Sequence, residues 1–317
     1  MPNLSSLRIV FMGTPEFAVA SLSALVDAGC NIVGVITAPD KAAGRGLQVQ
    51  QSAVKQYAVS KGLNVLQPEK LKDPSFIETL QALKADLQVV VAFRMLPEMV
   101  WSMPPMGTIN LHGSLLPQYR GAAPINWAVI NGEQQTGVTS FKLKQEIDTG
   151  DILLQESFPI GENETAGEVH DRMKMTGAAL LLKTVEGLAE GTLKETPQSE
   201  WTGPHISEPL KHAPKIFTET AQIDWNKTTA EVYNFIRGLA PYPAAFTSLE
   251  GKKLKIFKAE KQVGGTSTAT GDFETDGKTF LRFATADGYI NLLELQLEGK
   301  KKMPVADFLR GHRFNKT

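Results

Sequence analysis

Strand-like and helix-like segments alternate through the first half of the chain, and this alternation constrains the fold more than any other feature. Short apolar runs (LRIVFMG, NIVGVITAP, DLQVVVAF and MGTINLH) are separated by segments whose apolar residues recur at helical spacing. The run DLQVVVAF is mostly apolar and shows no alternation, as in a strand that is buried on both faces. Strands that alternate with helices in this way predict an α/β fold with a Rossmann-like, doubly wound and mostly parallel sheet.

Local signals place the first turns of this fold. The segment TPEFAVASLSALVDAG predicts a helix with Thr14 as its N-cap, Pro15 at its first helical position and Gly29 after its end. After the second strand, the basic and Gly-rich segment PDKAAGRGLQ is expected to form a loop. A long helix is expected over TAGEVHDRMKMTGAALLLKTVEGLAEG, where the first domain should end.

The second half of the chain has a different pattern. It turns polar and rich in Pro after Thr192, which is typical of a linker. Two strands with Glu250 and Gly251 between them predict a hairpin, and two more strands flank the residues ADG. Short strands at this spacing predict a small antiparallel barrel. We therefore expect a catalytic domain over residues 1–191, a linker over 192–208 and a C-terminal domain over 209–317.

Composition excludes some classes of protein and favours others. No run of about 18 apolar residues is present, so no membrane span is expected. The start of the chain lacks a signal-peptide pattern, and the lone Cys30 has no partner, which together fit a reducing cytoplasm. Basic residues outnumber acidic ones from His205 onward, whereas acidic residues predominate before it. This asymmetry is compatible with a polyanionic partner. A monomer is the default expectation.

Asn110 and His112 are the first candidates for chemistry. Residues i and i+2 of a strand project to the same face, and ligands of open α/β sheets bind at the carboxyl ends of the strands. Both residues end the run TINLH. An Asn amide and a His ring together can hold a carbonyl oxygen that becomes anionic in a tetrahedral state.

A His in such a role usually needs a carboxylate to orient it. The segment QEIDTGD offers Asp148 and Asp151, and we favour Asp148 because it lies in a loop that strand pleating does not constrain. The residues alone leave other interpretations open: Asn110 and His112 as a structural pair, and the two aspartates as turn residues. The GTPEF segment after the first strand lacks the GxGxxG pattern, so a dinucleotide site is not expected.

The central motif carries a specific likeness. NLHGSLLPQYRGAAPINWAVINGEQQTGV followed by IDTGDIL resembles the formyltetrahydrofolate-dependent formyltransferases. With IVFMGTPEFAV and APDKAAGRG, the similarity narrows to members that act on methionyl-tRNA, and it spans nearly the whole chain. It implies transfer of a formyl group from 10-formyltetrahydrofolate to the methionine amine of initiator tRNA, as translation begins. It also implies an OB-fold-like C-terminal domain that helps to hold the tRNA.

The same resemblance assigns residues. Asn110, His112 and Asp148 match the catalytic residues of the family, and no metal is implied. The segment that matches the folate-binding loop consists of Ser114, Leu115, Leu116 and Pro117. The loop 40–46 matches the element that enters the tRNA acceptor stem, which implies tRNA contacts for Lys41 and Arg45. The chain departs from the family at Arg94 and Met95, where a Gly-containing stretch is common, and at Gln118, where a basic residue is common.

Three alternatives remain at this stage. A formyltransferase for glycinamide ribonucleotide or an amino sugar, or a formyltetrahydrofolate hydrolase, could share the Asn, His and Asp. A small acceptor would require neither the basic loop nor the C-terminal domain. A non-catalytic RNA-binding protein would leave Asn110, His112 and Asp148 unexplained, and a nicotinamide dehydrogenase would be expected to carry the missing Gly pattern.

Overall fold

The computed structural model describes residues 4–43, 48–202, 209–265 and 267–314. The chain divides into two compact units, and each combines segments that are distant in sequence. The first unit comprises Met1–Arg120, Gly137–Phe158 and His170–Lys211, and the second comprises Gly121–Thr136, Pro159–Val169 and His212–Thr317. The second unit thus includes residues 121–136 and 159–169, which lie inside the range expected for the catalytic domain. None of the described helices is both long and apolar enough to span a bilayer.

Strands and helices alternate in the part of the chain before residue 191. The strands are β1 (Arg8–Gly13), β2 (Asn31–Ile36), β3 (Lys41–Ala43), β4 (Gln48–Gln50), β5 (Val65–Leu66), β6 (Leu87–Val91), β7 (Thr108–His112), β8 (Arg120–Gly121), β9 (Gln135–Lys142) and β10 (Ile152–Pro159). The helices are α1 (Glu16–Asp27), α2 (Ala53–Ser60), α3 (Pro74–Ala82), α4 (Glu98–Trp101), α5 (Pro124–Ile130) and α6 (Ala166–Glu190).

A seven-stranded sheet forms the centre of the first unit, with strand order β10-β9-β7-β6-β1-β2-β5. Strands β7, β6, β1, β2 and β5 are mutually parallel, which confirms the prediction of a mostly parallel, doubly wound sheet. Strand β9 runs antiparallel to β7 and places Phe141 opposite Asn110 and Thr139 opposite His112. The carboxyl ends of β6 and β7 therefore lie side by side.

Two local predictions were wrong. The N-cap of α1 is Pro15 rather than Thr14, because Pro15 is extended (ψ 173°) and the helix begins at Glu16. Thr14 is therefore one residue too far away to cap it. The segment expected to be a loop after β2 contains a short hairpin, in which Lys41 pairs with Gln50. Arg45 lies outside the described residues.

The second unit is built around an antiparallel sheet with strand order β12-β13-β16-β15-β14, and β17 also pairs with β16. The predicted hairpin turn is confirmed: Glu250 and Gly251 both have positive φ (48° and 77°), as two-residue hairpin turns require. In the hydrophobic core of this unit, Trp225 stacks on Phe283 of β15, with ring centroids 4.7 Å apart. The elements of the chain after residue 191 are β11 (His212–Ala213), a 3-10 turn (Glu219–Ala221), α7 (Thr229–Leu239), β12 (Ala245–Leu249), β13 (Lys252–Val263), β14 (Phe273–Thr275), β15 (Leu281–Ala284), β16 (Gly288–Leu297), β17 (Met303–Pro304) and α8 (Val305–Gly311).

Candidate active site

Asn110 and His112 are the third and fifth residues of the five-residue strand β7, and they lie at the carboxyl edge of the sheet. His112 is buried, whereas Asn110 is half-buried. The Asn110 carboxamide makes no hydrogen bond to any residue that the structure describes, although nearby polar side chains are bonded. An amide that is partly open to solvent and bonded to none of the described residues is able to donate to a bound molecule.

His112 is held between a carbonyl and a carboxylate. Its Nε2 lies 2.9 Å from the backbone oxygen of Tyr119, and its Nδ1 lies 3.7 Å from Oδ2 of Asp148. A carbonyl can only accept, so Nε2 carries a hydrogen and donates it. In the imidazolium form Nδ1 also carries a hydrogen, and that hydrogen points towards the buried carboxylate of Asp148. The two acceptors therefore complement a ring that carries positive charge.

Asp148 reaches His112 because its loop adopts an uncommon backbone conformation. Asp148 has a φ of +55°, which lies in the left-handed region that Asp tolerates better than most residues. Gly150 passes so close to the backbone of β9 that a Cβ there would lie 1.6 Å from the Lys142 oxygen. Asp151, the alternative carboxylate, pairs instead with Lys144 at 2.7 Å. Of the two aspartates, it is Asp148 that faces His112.

Positive φ at non-glycine residues recurs around this edge of the sheet. Ala92 follows directly after β6 with a φ of 47°, and Tyr119, whose oxygen accepts from His112, has a φ of 60°. Such conformations are costly and persist where the surrounding structure over-determines them, which is common at functional sites. A fourth such residue in the described part of the first unit, Lys84 (φ 46°), lies instead before the amino end of β6.

The segment predicted to bind folate is packed inside the protein. Ser114, Leu115 and Leu116 are buried. The Thr139 hydroxyl donates to the Ser114 oxygen (2.6 Å) and accepts from the Leu116 N–H (3.1 Å). Gln155 donates to the Leu116 oxygen at 3.0 Å. Most of the polar backbone groups of this segment are thus bonded within the protein. Direct contact between this segment and folate stays a prediction.

The hairpin predicted to contact tRNA has a fixed base. Lys41 is exposed at the start of β3. The preceding residue, Asp40, accepts from the Lys55 ammonium and from Gln67 (2.8 Å). The hydrogen bond from Lys55 lowers the pKa of Asp40, and the bond from Gln67 adds to this effect. The base of the hairpin is therefore tied to the body of the first unit.

The sequence did not predict the structural contacts of two glutamines, Gln198 and Gln118. Gln198 lies in the expected linker, yet it is buried and its Nε2 donates to the backbone oxygens of Asp148 (2.8 Å) and Gly150 (2.9 Å). Gln118 accepts from the Lys211 N–H at 2.8 Å. A single Gln carries no motif, so no pattern in the sequence signals either role. In the described part of the chain, no group of three or more His, Cys, Asp or Glu residues is placed to hold a metal.

Comparison with known proteins identifies the family. A family model described as "Formyl transferase" matches residues 7–185, and one described as "Formyl transferase, C-terminal domain" matches residues 215–313. The chain belongs to the formyl transferase family. This membership confirms the resemblance on which the sequence assignment depends, and the N-terminal formyl transferase match contains Asn110, His112 and Asp148.

Individual relatives within the formyl transferase family cover almost the whole chain. A methionyl-tRNA formyltransferase of Phocaeicola vulgatus is 57% identical over 313 residues, which are 97% of this chain and 96% of that one. A methionyl-tRNA formyltransferase of Bacteroides fragilis is 55% identical over 310 residues, or 96% and 95% of the two chains. An N-formyltransferase from Helicobacter canadensis, solved with folinic acid and dTDP-3-aminofucose, has a TM-score of 0.64 at 21% identity. That match covers 94% of this chain and 100% of the solved one, and it concerns the fold alone.

Proposed function

We propose that this chain transfers the formyl group of 10-formyltetrahydrofolate to the α-amino group of methionine on initiator tRNA. The product is N-formylmethionyl-tRNA for translation initiation. The family supplies the reaction class, and the methionyl-tRNA formyltransferases that are 47–57% identical supply the acceptor. The folate donor is what the resemblance of the central motif implies. We further propose that the protein acts as a monomer in the cytoplasm, without a membrane partner.

The observation that carries the proposal is the arrangement of Asn110, His112 and Asp148. An unengaged amide and a His ring project from the same face of β7, and a buried carboxylate lies 3.7 Å from that ring. This donor set suits a formyl carbon, because the carbonyl oxygen gains negative charge when an amine attacks it. We assign Asn110 and His112 to hold that oxygen and Asp148 to orient His112.

The reaction then proceeds by addition and elimination. The neutral methionine amine attacks the formyl carbon and forms the new N–C bond, and the former carbonyl oxygen becomes an oxyanion. Asn110 stabilises this oxyanion by donating a hydrogen bond to it, and His112 donates a second one when its Nε2–H moves from the Tyr119 oxygen to the substrate. The bond between the formyl carbon and N10 of the folate breaks as the carbonyl re-forms. The amine loses one proton and N10 gains one, and the His112–Asp148 pair moves that proton directly or through water.

The remaining assignments follow the same reasoning. We propose residues 1–191 as the catalytic domain, 192–208 as a linker and 209–317 as the tRNA-binding domain. We also propose the segment from Ser114 to Pro117 as part of the folate site. Lys41 and Arg45 are proposed to contact the tRNA, because both are cations, which suit phosphate contacts, and Lys41 is exposed.

The test is a competition between acceptors. The purified protein is given 10-formyltetrahydrofolate with a labelled formyl group, together with methionyl initiator tRNA, an amino sugar nucleotide and glycinamide ribonucleotide in parallel reactions. We expect the label on the methionine of the tRNA. Label on a small acceptor alone, or released only as formate, would refute the proposed acceptor and favour one of the alternative enzymes.

A further inference from the structure

We infer that Gln198 is a positioning residue for the reaction: its carboxamide ties the Asp148 turn to the segment that holds His112. The inference rests on the proposed function, because it concerns the same three side chains. It assigns a role to a residue that follows α6 in sequence, in a segment whose composition is that of a linker.

The donor half of Gln198 spans the Asp148 turn. Nε2 has two hydrogens, and it donates to the oxygens of Asp148 and Gly150, 2.8 and 2.9 Å away. These two carbonyls flank Thr149, so the bonds close the turn at both ends. Asp148 occupies the left-handed region, which costs free energy and needs support from its surroundings. Gln198 supplies such support from a buried position.

The acceptor half of Gln198 is fixed by Arg120. Oε1 accepts from Nη2 of Arg120 at 2.5 Å and from Nε at 3.1 Å. Arg120 directly follows Tyr119, whose backbone oxygen accepts from His112. One carboxamide therefore connects the backbone that holds the imidazole with the turn that holds the carboxylate. The separation of His112 and Asp148 depends on this connection.

The segment around Gln198 is itself held in register with the first unit. Thr196 and Ile152 exchange two backbone hydrogen bonds, of 2.8 and 3.0 Å. Gln198 thus approaches the Asp148 turn from a bonded strand-like segment rather than from a free loop. Because both of its donors and its acceptor are used, a change that removes only the donors isolates the proposed role.

The experiment is a double-mutant cycle on the full-length protein. Gln198→Leu removes the carboxamide at similar size, and Gln198→Glu keeps the acceptor for Arg120 but cannot donate when ionised. We expect each to lower kcat by about 10–100-fold, because a misplacement of about 1 Å costs up to about 10² in rate. KM for both substrates should change less than about threefold. In an Asp148→Asn background the further loss should be below about threefold, since residues that act through one another are not additive.

Two controls separate positioning from a general loss of stability. Gln88→Leu removes another buried carboxamide, at the amino end of β6, whose oxygen accepts from the Thr108 hydroxyl. This variant should have a lower melting temperature but an unchanged kcat. A crystal structure of the Gln198→Leu variant should show the Asp148 carboxylate moved from His112 by more than about 1 Å. An unmoved carboxylate, wild-type kcat in Gln198→Glu, or an equal loss in both backgrounds would overturn the inference. If the wild-type protein formylates no tRNA, the proposed function fails instead, and the crystal structure alone then decides on Gln198.

Discussion

Replacing Asp148 by Asn isolates the charge of the carboxylate from its shape. Asn has nearly the same size and also tolerates a positive φ, so the turn should keep its backbone. The Asp148 oxygen lies 3.7 Å from Nδ1 of His112, and both side chains are buried. At this separation and an effective dielectric constant of about 20, a full charge pair is worth about 4 kcal/mol. If that stabilisation is present in the transition state, its loss lowers kcat by about 10³.

The assay is formylation of methionyl initiator tRNA at saturating substrates, with the melting temperature measured beside it. The matched control is Asp151→Asn, because Asp151 belongs to the same loop but pairs with the half-exposed Lys144. Such surface pairs contribute about 0–1 kcal/mol, so this variant should keep its activity within about threefold. Equal activity in the two variants, or a larger loss in Asp151→Asn, would refute the assignment of Asp148.

Three further outcomes are expected. Asn110→Ala should lower kcat by about 10²–10³, as the loss of other oxyanion donors does. Its free energy of unfolding, measured in urea, should change by less than about 1 kcal/mol, because the amide bonds to no described residue. In the second unit, hydrogen bonds from Thr268, Arg282 and Tyr289 lower the pKa of Glu274 from 4.5 to about 2. The stability that wild type has over Glu274→Gln should therefore be present above pH 4.5 and vanish towards pH 2, and a gap that persists at pH 2 would contradict this. Burial raises the pKa of Cys30 to about 11, so a thiol reagent at pH 8 should modify it only in denaturant.

The arrangement of the first sheet follows from sequence patterns because those patterns are local. The mostly apolar β6 is buried along its whole length, and α6 (Ala166–Glu190) fills the segment that was predicted to form a long helix. The hairpin at Glu250 and Gly251 was predictable for the same reason, since a two-residue turn between alternating strands leaves few other conformations. Local signals were weaker at the start of α1, where Pro15 could equally precede or begin the helix.

The part of the site contributed by β7 was also predictable. The two-residue spacing of Asn110 and His112 fixes their common face in any strand. The approach of Asp148 depends on a left-handed residue and on a Gly pressed against β9, and neither is visible from spacing. The residues favoured Asp148 over Asp151 and the resemblance assigned it a catalytic role, whereas neither supplied Gln198. Its role arises from three hydrogen-bonding partners that are about 50 to 80 residues away in sequence, which only the folded chain brings together.

The central claim is that one site, made by β7 and the Asp148 turn, holds the formyl oxygen. A crystal structure of the protein with 5-formyltetrahydrofolate, a stable relative of the donor, tests it directly. We predict the formyl oxygen within about 2.7–3.2 Å of the Asn110 carboxamide nitrogen or a ring nitrogen of His112. A folate bound with its formyl group at another edge of the sheet, with Asn110 still unengaged, would contradict the account.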